Sequence, residues 1–457
     1  MIEKNEVLTI AGNIGLGHST VEKDYALGWL LYGINNHPKT KSWAFKGGTS
    51  LKKCFFETFR FSEDLDFTIN QKESLNANEL KVVFIEIAEF LQEKVGIQFA
   101  PESFKFKIIP KENGNCSAQG VLHYTGPLQM KNKTASIKLD LTTDELLVLN
   151  PVMKKVHHPY SDEPAEGMYA ICYAFEEVVA EKIRALGQRI RPRDLYDVIH
   201  FFRNRELIQN TKLVRNVLVE KCKFKNISVP TYESIENHEK LGELEPQWEH
   251  MLAHQLPYLP PMNAFWMDLQ PFFDWLNGVL EVQELTPPAI ATGEIFQVSD
   301  NYYPKNSLLY KIQFAAANRV CVKLSYHGKQ RIVEPLSFRA AKDGKRFFNG
   351  FEREADHPKN YEIIKIESVE VTDSPYAEKY PVEISATGAI SMPPLRRTAS
   401  KKVVTKSYFT NDAVYKIQCP ICQKIFRRKK LTTLRLNKHK DKYGANCYGR
   451  IGHKVGS

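Results

Sequence analysis

Residues 45–51 read Phe-Lys-Gly-Gly-Thr-Ser-Leu, and residues 60–69 read Arg-Phe-Ser-Glu-Asp-Leu-Asp-Phe-Thr-Ile. In the second stretch Asp64 and Asp66 are two positions apart, so on a β-strand both carboxylates point to the same face. Paired carboxylates are typical ligands of Mg²⁺ or Mn²⁺, and such an ion also contacts the phosphates of a substrate. The spacing therefore predicts a site for a metal-bound nucleoside triphosphate.

The first stretch supplies a second half for such a site. Gly47 and Gly48 lack side chains, so backbone N–H groups can approach a triphosphate closely. Thr49 and Ser50 follow at the predicted start of a helix, where hydroxyl donors and the helix N-terminus favour anions. Each pattern alone is common in turns and solvated strands. In this order, together, they indicate the active site of a nucleotidyltransferase.

A third carboxylate is expected on a neighbouring strand. Residues 136–141 read Ser-Ile-Lys-Leu-Asp-Leu, and the alternation of polar and apolar residues predicts a strand on which Asp140 shares a face with Lys138. A two-metal transfer site needs a further carboxylate where the attacking hydroxyl is activated. We predict that Asp140 fills this place, with Asp144 as the alternative.

The order of predicted elements indicates an α/β (α+β) fold. It comprises a minimal nucleotidyltransferase mixed sheet flanked by helices, then a helical region, a small β-rich module and a C-terminal zinc finger. The short early elements are a strand at 42–45, a helix at 49–59 and a strand at 65–69. The predicted domains are residues 1–285 (nucleotidyltransferase with its helical part), 295–385 (β-rich module), 386–412 (basic linker) and 413–457 (finger).

The C-terminal segment combines metal-ligand spacing with positive charge. Two residues separate Cys419 from Cys422, a spacing typical of zinc ligands. His439 and Cys447 can complete a tetrahedral Zn²⁺ site, and His453 could replace either of them. From residue 396 to 457 there are 17 Lys and Arg residues against two Asp residues. This net +15 leaves −5 for the rest of the chain, so the finger is the predicted contact for the phosphate backbone of RNA or DNA.

Composition narrows the class of protein to which the chain can belong. The 457 residues are 43% hydrophobic, enough for several domains with cores of their own. No apolar run approaches the roughly 20 residues that a membrane helix needs, and the charged start has no signal-peptide core. Five of the eight cysteines are scattered singly, so we expect no disulfide framework. These features predict a cytoplasmic protein with no membrane contact.

Several blocks in order resemble the AbiEii/AbiGii toxin family of polymerase-beta-like nucleotidyltransferases. The resemblance covers roughly the first 280 residues, although the gap from the glycines to the paired aspartates is wider than in many polymerase-beta-like enzymes. The blocks are Lys23-Asp24, Gly47-Gly48-Thr49-Ser50-Leu51, Arg60-x-Ser62-x-Asp64-Leu65-Asp66, Ala180-Glu181-Lys182-x-Arg184-Ala185 and Arg193-Asp194-Leu195-Tyr196-Asp197.

This resemblance implies the toxin of an abortive-infection, phage-defence or toxin–antitoxin system, with a separate antitoxin protein as partner. Such an enzyme transfers a nucleotide from a nucleoside triphosphate to RNA, and tRNA 3′ ends are acceptors in related members. By analogy Lys182 joins the catalytic group and neutralises phosphate charge. The implied nucleotide-binding residues are Gly47, Gly48, Thr49, Ser50, Arg60, Ser62 and Asp194, and the role of Asp194 is open.

The β-rich module is similar to a WYL-type domain, a regulatory module that binds nucleic acid or nucleotide ligands. The similarity rests on residues 317–319, 331–336 and 364–369, but residues 347–349 read Phe-Phe-Asn in place of Trp-Tyr-Leu. Arg331 and Arg346 are its candidate phosphate contacts.

Two other functions are compatible with the same residues. In one, the nucleotidyltransferase fold is a non-catalytic scaffold and the chain is a nucleic-acid-binding regulator. In the other, the enzyme adds nucleotides to protein side chains. Intact Asp64, Asp66 and Lys182 favour an enzyme over the first, and the basic finger favours nucleic acid over the second.

Overall fold

The computed structural model describes most of the chain as two compact units. One lies within Met1–Asn35 and Lys39–Lys402, and the other within Val403–Ser457, grouped with Asn36–Pro38. The described residues are 1–57, 59–69, 75–111, 114–129, 135–280, 285–297, 307–386, 415–428, 434–441, 444–448, 451 and 453–456. The predicted basic linker, 386–412, lies outside them except for its first residue.

A mixed sheet forms the centre of the first unit. Within the described residues it has eight strands in the order β3-β5-β6-β2-β1-β8-β7, with β4 paired to β5. β2 runs parallel to β6 and antiparallel to β1, which in turn is parallel to β8. The strands are β1 (Ala44–Lys46), β2 (Asp64–Thr68), β3 (Gln98–Phe99), β4 (Lys105–Pro110), β5 (Cys116–Thr125), β6 (Ala135–Thr142), β7 (Val152–Lys155) and β8 (Tyr169–Cys172).

Helices follow and flank this sheet. They are α1 (Lys4–Ile14), α2 (His18–Asn36), α3 (Gly47–Cys54), α4 (Ala77–Val95), α5 (Phe175–Arg189), α6 (Pro192–Arg203), α7 (Thr211–Phe224), α8 (Tyr232–Glu236), α9 (Leu244–Leu252), α10 (Met262–Trp266) and α11 (Leu269–Asn277). The predicted mixed α/β fold flanked by helices is therefore confirmed.

Local chemistry explains where one helix begins and why another stops early. The Asn76 side chain accepts the backbone N–H groups of Asn78 and Glu79 at the start of α4, and Gly96 ends that helix with φ +84°. The helix predicted over 49–59 instead ends at Cys54. The chain turns there because the buried ring of Phe59 packs edge-to-face on His200 of α6, so tertiary packing overrides helix propensity.

The β-rich module is a second sheet preceded by a helix. Within the described chain its strand order is β13-β12-β11-β10-β14, and β9 pairs with β11. The elements are β9 (Glu294–Ile295), α12 (Ser307–Asn318), β10 (Val320–Tyr326), β11 (Lys329–Ala340), β12 (Arg346–Glu352), β13 (His357–Glu362) and β14 (Ile366–Pro375). A small β-rich module was predicted for this region, but the helix α12 and the edge strand β13 were not among the predicted elements.

The β-rich module and the nucleotidyltransferase region share one hydrophobic core, which extends from Ile2 to Ala386. Polar bonds join α6 to α12 through this core. The hydroxyl of Tyr196 donates to Oδ1 of Asn318 at 2.9 Å, and Nη1 of Arg203 donates to the Asn318 carbonyl at 2.7 Å. Nη2 of Arg319 donates back to the Arg203 carbonyl at 2.7 Å. The two regions are thus joined as parts of one folded body.

The second unit is small and built from short strands. β15 (Tyr415–Gln418) pairs with β16 (Ile425–Arg428) and β19 (His453–Gly456), and β17 (His439–Lys440) pairs with β18 (Asn446–Cys447). Its core among the described residues consists of Ile417, Cys419, Leu436 and Cys447.

None of the helices in the described part of the chain has both the length and the apolar character needed to cross a bilayer.

Candidate active site

Three carboxylates and two lysines stand in adjacent rows across the central sheet. Asp66 on β2 lies opposite Asp140 on β6 and opposite Lys46 on β1. Asp64 lies opposite Lys138 in the next row of the same face. The structure therefore brings together the three carboxylates that were predicted to form the catalytic and metal-binding group.

Negative charge in these rows is only partly compensated. Burial raises the pKa of Asp66 to about 6, and the charges of Asp140 and Asp64 act in the same direction against Lys46. Burial also raises the pKa of Asp64, while Lys138 opposes that change. Because burial and mutual repulsion oppose the ionisation of these carboxylates, they are suited to bind a divalent cation, which would stabilise their charged forms.

The two glycines that begin α3 lie close to this group. Gly47 has φ +82°, and a Cβ at this position would collide with the carboxylate of Asp66. A Cβ on Gly48 would lie 2.8 Å from Nη2 of Arg60 and 3.1 Å from Oγ of Ser62. The structure thus brings four of the predicted nucleotide-binding residues together: Gly47 lies against Asp66, and Gly48 lies against Arg60 and Ser62.

The two hydroxyls that follow the glycines hold the turn itself. Oγ1 of Thr49 donates to the Asp64 carbonyl at 2.5 Å, and Oγ of Ser50 donates to the Gly47 carbonyl at 2.8 Å. Both side chains are buried. Their predicted contact with a triphosphate stays a prediction, and it would require each hydroxyl to leave its present bond.

A buried carboxylate on α6 organises two of the predicted cations. Asp197 accepts Nε and Nη2 of Arg60 at 2.7 and 2.8 Å, and it also accepts Nζ of Lys182 at 2.7 Å. Burial opposes the charge of Asp197, but Arg60 and Lys182 outweigh it and lower the pKa of this carboxyl. Because an ammonium has three donor hydrogens, Lys182 can hold Asp197 and still donate to a phosphate.

Asp194 is likewise occupied by a cation. It is fully buried and accepts Nε and Nη2 of Arg189 at 2.6 and 2.8 Å. The hydrogen bond and charge of Asp194 raise the pKa of Arg189 against the effect of burial, and the charges of Asp197 and Asp66 act in the same direction as Asp194. We interpret Asp194 as the residue that positions Arg189, because a carboxylate gains nothing from direct contact with a phosphate.

The neighbouring residues Lys23 and Asp24 of α2 face in different directions. Nζ of Lys23 pairs with Oε2 of Glu63 at 2.9 Å, next to Asp64. Asp24 is buried and accepts Nζ of Lys53 at 2.7 Å and the hydroxyl of Tyr160 at 2.9 Å. One residue of the pair therefore belongs to the rim of the site and the other to the core.

Sequence reasoning missed Lys46, Arg189 and Asp197 as site residues. Lys46 carried a signal, because it ends the strand directly before the glycines and alternation puts it on the side of the carboxylates. The roles of the other two depend on long-range packing. Asp144, the alternative third carboxylate, instead pairs with Lys225 at 2.8 Å.

The candidate phosphate contacts of the β-rich module have other neighbours. Nη1 of Arg331 lies 2.9 Å from Oε1 of Glu352, and the Arg346 guanidinium lies 5.1 Å from the ring centre of Phe296. A ligand role for either arginine stays a prediction, as does the similarity to WYL-type domains.

In the second unit, the four predicted zinc ligands come together. Their ligand atoms, from Cys419, Cys422, His439 and Cys447, all lie within 4.8 Å of one another. Nδ1 of His439 lies 2.8 Å from the Asn437 carbonyl, which fixes the ring and leaves Nε2 towards the thiols. Desolvation opposes the thiolate of Cys419, but nearby backbone N–H groups and side chains lower its pKa to about 6. His453 lies on β19 and is not part of this cluster.

Comparison with family models gives a match over the middle of the chain. Residues 29–277, more than half of the chain, match the family described as nucleotidyl transferase AbiEii toxin of type IV toxin–antitoxin systems. The chain belongs to the AbiEii family. It is therefore a nucleotidyltransferase of the toxin–antitoxin type, as the resemblance implied. The AbiEii match contains every residue of the candidate active site except Lys23 at its rim, which precedes residue 29.

Solved structures resemble this AbiEii chain only distantly. MenT4, a nucleotidyltransferase toxin from Mycobacterium tuberculosis, is 20% identical with a TM-score of 0.42, over 61% of this chain and 90% of that one. A proposed nucleotidyltransferase from H. pylori is 17% identical with a TM-score of 0.36, over 58% and 97% of the two chains. Comparison with curated proteins finds no match. The assignment rests on the family match.

The pKa of Asp66 leads to a pH dependence of activity. Because its carboxyl has a pKa of about 6 and must be ionised to bind a cation, we expect nucleotide transfer to fall as the pH drops through 6. A cation competes with the proton, so a higher Mg²⁺ concentration should move the midpoint to lower pH. Initial rates from pH 5 to 8 at two Mg²⁺ concentrations test this expectation. A midpoint that does not depend on Mg²⁺ would assign the titration to another group.

Proposed function

We propose that this AbiEii toxin transfers a nucleotide from a nucleoside triphosphate to the 3′ end of RNA, with tRNA as the acceptor and Mg²⁺ as the cofactor. The observation that carries the proposal is the register of β2 and β6, which sets Asp66 beside Asp140 with Asp64 in the next row. The Gly47 turn lies directly against Asp66.

The residues fit a divalent cation. Asp66 has a raised pKa because burial and two like charges oppose its ionisation, and a bound cation would relieve that opposition. Asp64, Asp66 and Asp140 are the residues that would hold Mg²⁺ or Mn²⁺. When bound, the cation would neutralise charge on the phosphates and polarise the reacting phosphoryl group.

The remaining groups bind and orient the two substrates. The backbone at Gly47 and Gly48 admits the triphosphate, and Lys182 and Arg189 contribute positive charge towards it. The 3′ hydroxyl attacks the α-phosphorus, a new P–O bond forms, and the bond to the β-phosphate oxygen breaks to release pyrophosphate. Asp140 is exposed to solvent and is the carboxylate best placed to accept the hydroxyl proton.

A direct assay separates this proposal from its competitors. The purified chain is incubated with Mg²⁺, total tRNA and each α-labelled nucleoside triphosphate in turn, beside a variant with Asp64→Ala. We expect label on RNA with the intact chain and none with the variant. Label on protein would favour modification of side chains, and label on neither would favour the regulatory scaffold.

The second unit supports the nucleic-acid part of the proposal. We propose that Cys419, Cys422, His439 and Cys447 bind one structural Zn²⁺, because three thiols and an imidazole within 4.8 Å form a complete tetrahedral donor set. The ion would fold a segment whose apolar core is very small. The basic residues around it would then contact a phosphate backbone, most strongly at low salt.

The zinc site makes a separate prediction. Elemental analysis should find about one zinc per chain, and Cys447→Ser should lose the ion because a tetrahedral site needs all four ligands. The matched control is Cys116→Ser, which changes a half-buried thiol in the first unit and should keep zinc. A Cys447→Ser variant with a full complement of zinc would contradict the assignment of ligands.

A further inference from the structure

The cations around the catalytic carboxylates differ in whether a carboxylate already neutralises them. Arg60 and Lys182 share Asp197, and Arg189 is held by Asp194. Each of these side chains therefore has a structural reason for its place in the site, apart from any ligand.

Arg193 has no such partner among the described residues. It occupies the second position of α6, and its one hydrogen bond in this part of the chain runs from Nε to the carbonyl of Met251 at 3.4 Å. Burial and the charge of Arg60 lower its pKa, and the attraction of Asp64 and Glu63 does not make up for them. Its terminal nitrogens are thus available for an anion.

Other cations lie on the same side of the site. Lys23 pairs with Glu63 at 2.9 Å. Lys138 stands opposite Asp64 and is exposed. Positive groups therefore lie around Glu63 and Asp64. In the described chain Arg193 and Lys138 have no acidic partner within salt-bridge distance, and Arg193 is the more buried of the two.

This cationic group lies at the Asp64 end of the carboxylates. Arg193 donates to the carbonyl of Met251, and His254, three residues further along the same segment, lies 3.9 Å from Glu63, which directly precedes Asp64. At the other end, Asp140 adjoins Asp66. The Gly47 turn and Lys46 also adjoin Asp66. The donor triphosphate is proposed to lie along the Gly47 turn at the Asp66 end, so the acceptor strand would approach from the Asp64 end, with its 3′ hydroxyl reaching Asp140.

We propose that Arg193 binds a backbone phosphate of the acceptor RNA at the Asp64 end of the active site, with Lys23 and Lys138 beside it. The inference rests on the proposed RNA acceptor. A guanidinium is suited to this contact because its parallel N–H groups match two phosphate oxygens and its charge is permanent. Arg193 would thereby direct the 3′ end towards the reacting phosphorus.

The test measures binding without turnover, so it does not depend on the transfer assay. Full-length chains with Arg193→Gln, Arg193→Lys and, as the matched control, Arg191→Gln are titrated with a fluorescein-labelled tRNA across a range of salt concentrations. Arg191 is exposed, lies just before α6 and belongs to no part of the proposed site. Binding of each Mg²⁺–nucleoside triphosphate is measured in parallel by calorimetry.

We expect Arg193→Gln to weaken tRNA binding about tenfold and to reduce the slope of log K against log salt by about one, with triphosphate binding unchanged. Arg193→Lys should keep the slope and lose about threefold in affinity, and Arg191→Gln should match the intact chain. Arg193→Lys also preserves the test if Arg193→Gln does not fold. Loss of triphosphate binding in place of tRNA binding, or no change in either, would overturn the proposal.

If the transfer assay fails while Arg193→Gln still lowers the affinity for tRNA, the phosphate contact stands and the proposed reaction does not. If transfer to tRNA is found and the salt slope of Arg193→Gln is unchanged, the reaction stands and the role of Arg193 is wrong.

Discussion

Replacing Asp66 with Asn is expected to lower the rate of nucleotide transfer by about 10³-fold or more, because it removes the central carboxylate of the proposed metal site. Asp66 stands between Lys46 and Asp140 and against the Gly47 turn. Steady-state rates with the labelled triphosphate that the intact chain uses give the measurement. Asp144→Asn, two residues after the end of β6, is the matched control, and we expect it to retain transfer.

The same substitution should not cost stability near neutral pH. The pKa of Asp66 is raised in the folded chain from 3.8 to about 6, so the folded state gains from protonation. The free energy of unfolding contributed by this group is therefore highest below pH 4 and falls as the pH rises through 6. We expect Asp66→Asn to be at least as stable as the intact chain at pH 7.5, with the difference shrinking towards pH 4.5. An inactive variant that is also unfolded would leave the catalytic role unproven.

Asp197→Ala is expected to destabilise the first unit by about 3–5 kcal/mol, the cost of leaving buried charges without their partner. The carboxylate is fully buried and holds both Arg60 and Lys182. Urea unfolding followed by tryptophan fluorescence measures this loss for the first unit alone. All five tryptophans lie there, at Trp29, Trp43, Trp248, Trp266 and Trp275.

A second variant separates buried charge from lost packing. The double variant Asp197→Ala, Lys182→Met lacks one of the two buried cations that Asp197→Ala leaves without a partner. Its loss in free energy of unfolding should therefore be smaller than the sum of the two single losses. If the loss of stability in the double variant equals the sum of the two single losses, Asp197 stabilises the fold through its shape alone.

Local spacing predicted the carboxylate group, because alternation on a strand is a property of a few consecutive residues. Asp64, Asp66 and Asp140 needed only that rule and the pairing of β2 with β6. The partners of the cations needed more. Arg60 and Asp197 are 137 residues apart, and no local pattern indicates that one neutralises the other.

The errors in secondary structure have similar causes. β13 was missed because Pro358 interrupts its pattern, but β13 is an edge strand, where a missing N–H is tolerated. The helix from Thr49 stopped early because Phe59 packs inward. In both places the deciding contacts come from other parts of the chain.

The bonds between α6 and α12 affect how shortened chains should be interpreted. Tyr196 and Arg203 lie on the helix that carries Asp194 and Asp197, and both bond to Asn318 of the β-rich module. A truncation near residue 285 would remove those partners and expose part of the shared core. Its inactivity would then report misfolding, and point substitutions in α12 are the better means to ask whether the module regulates the enzyme.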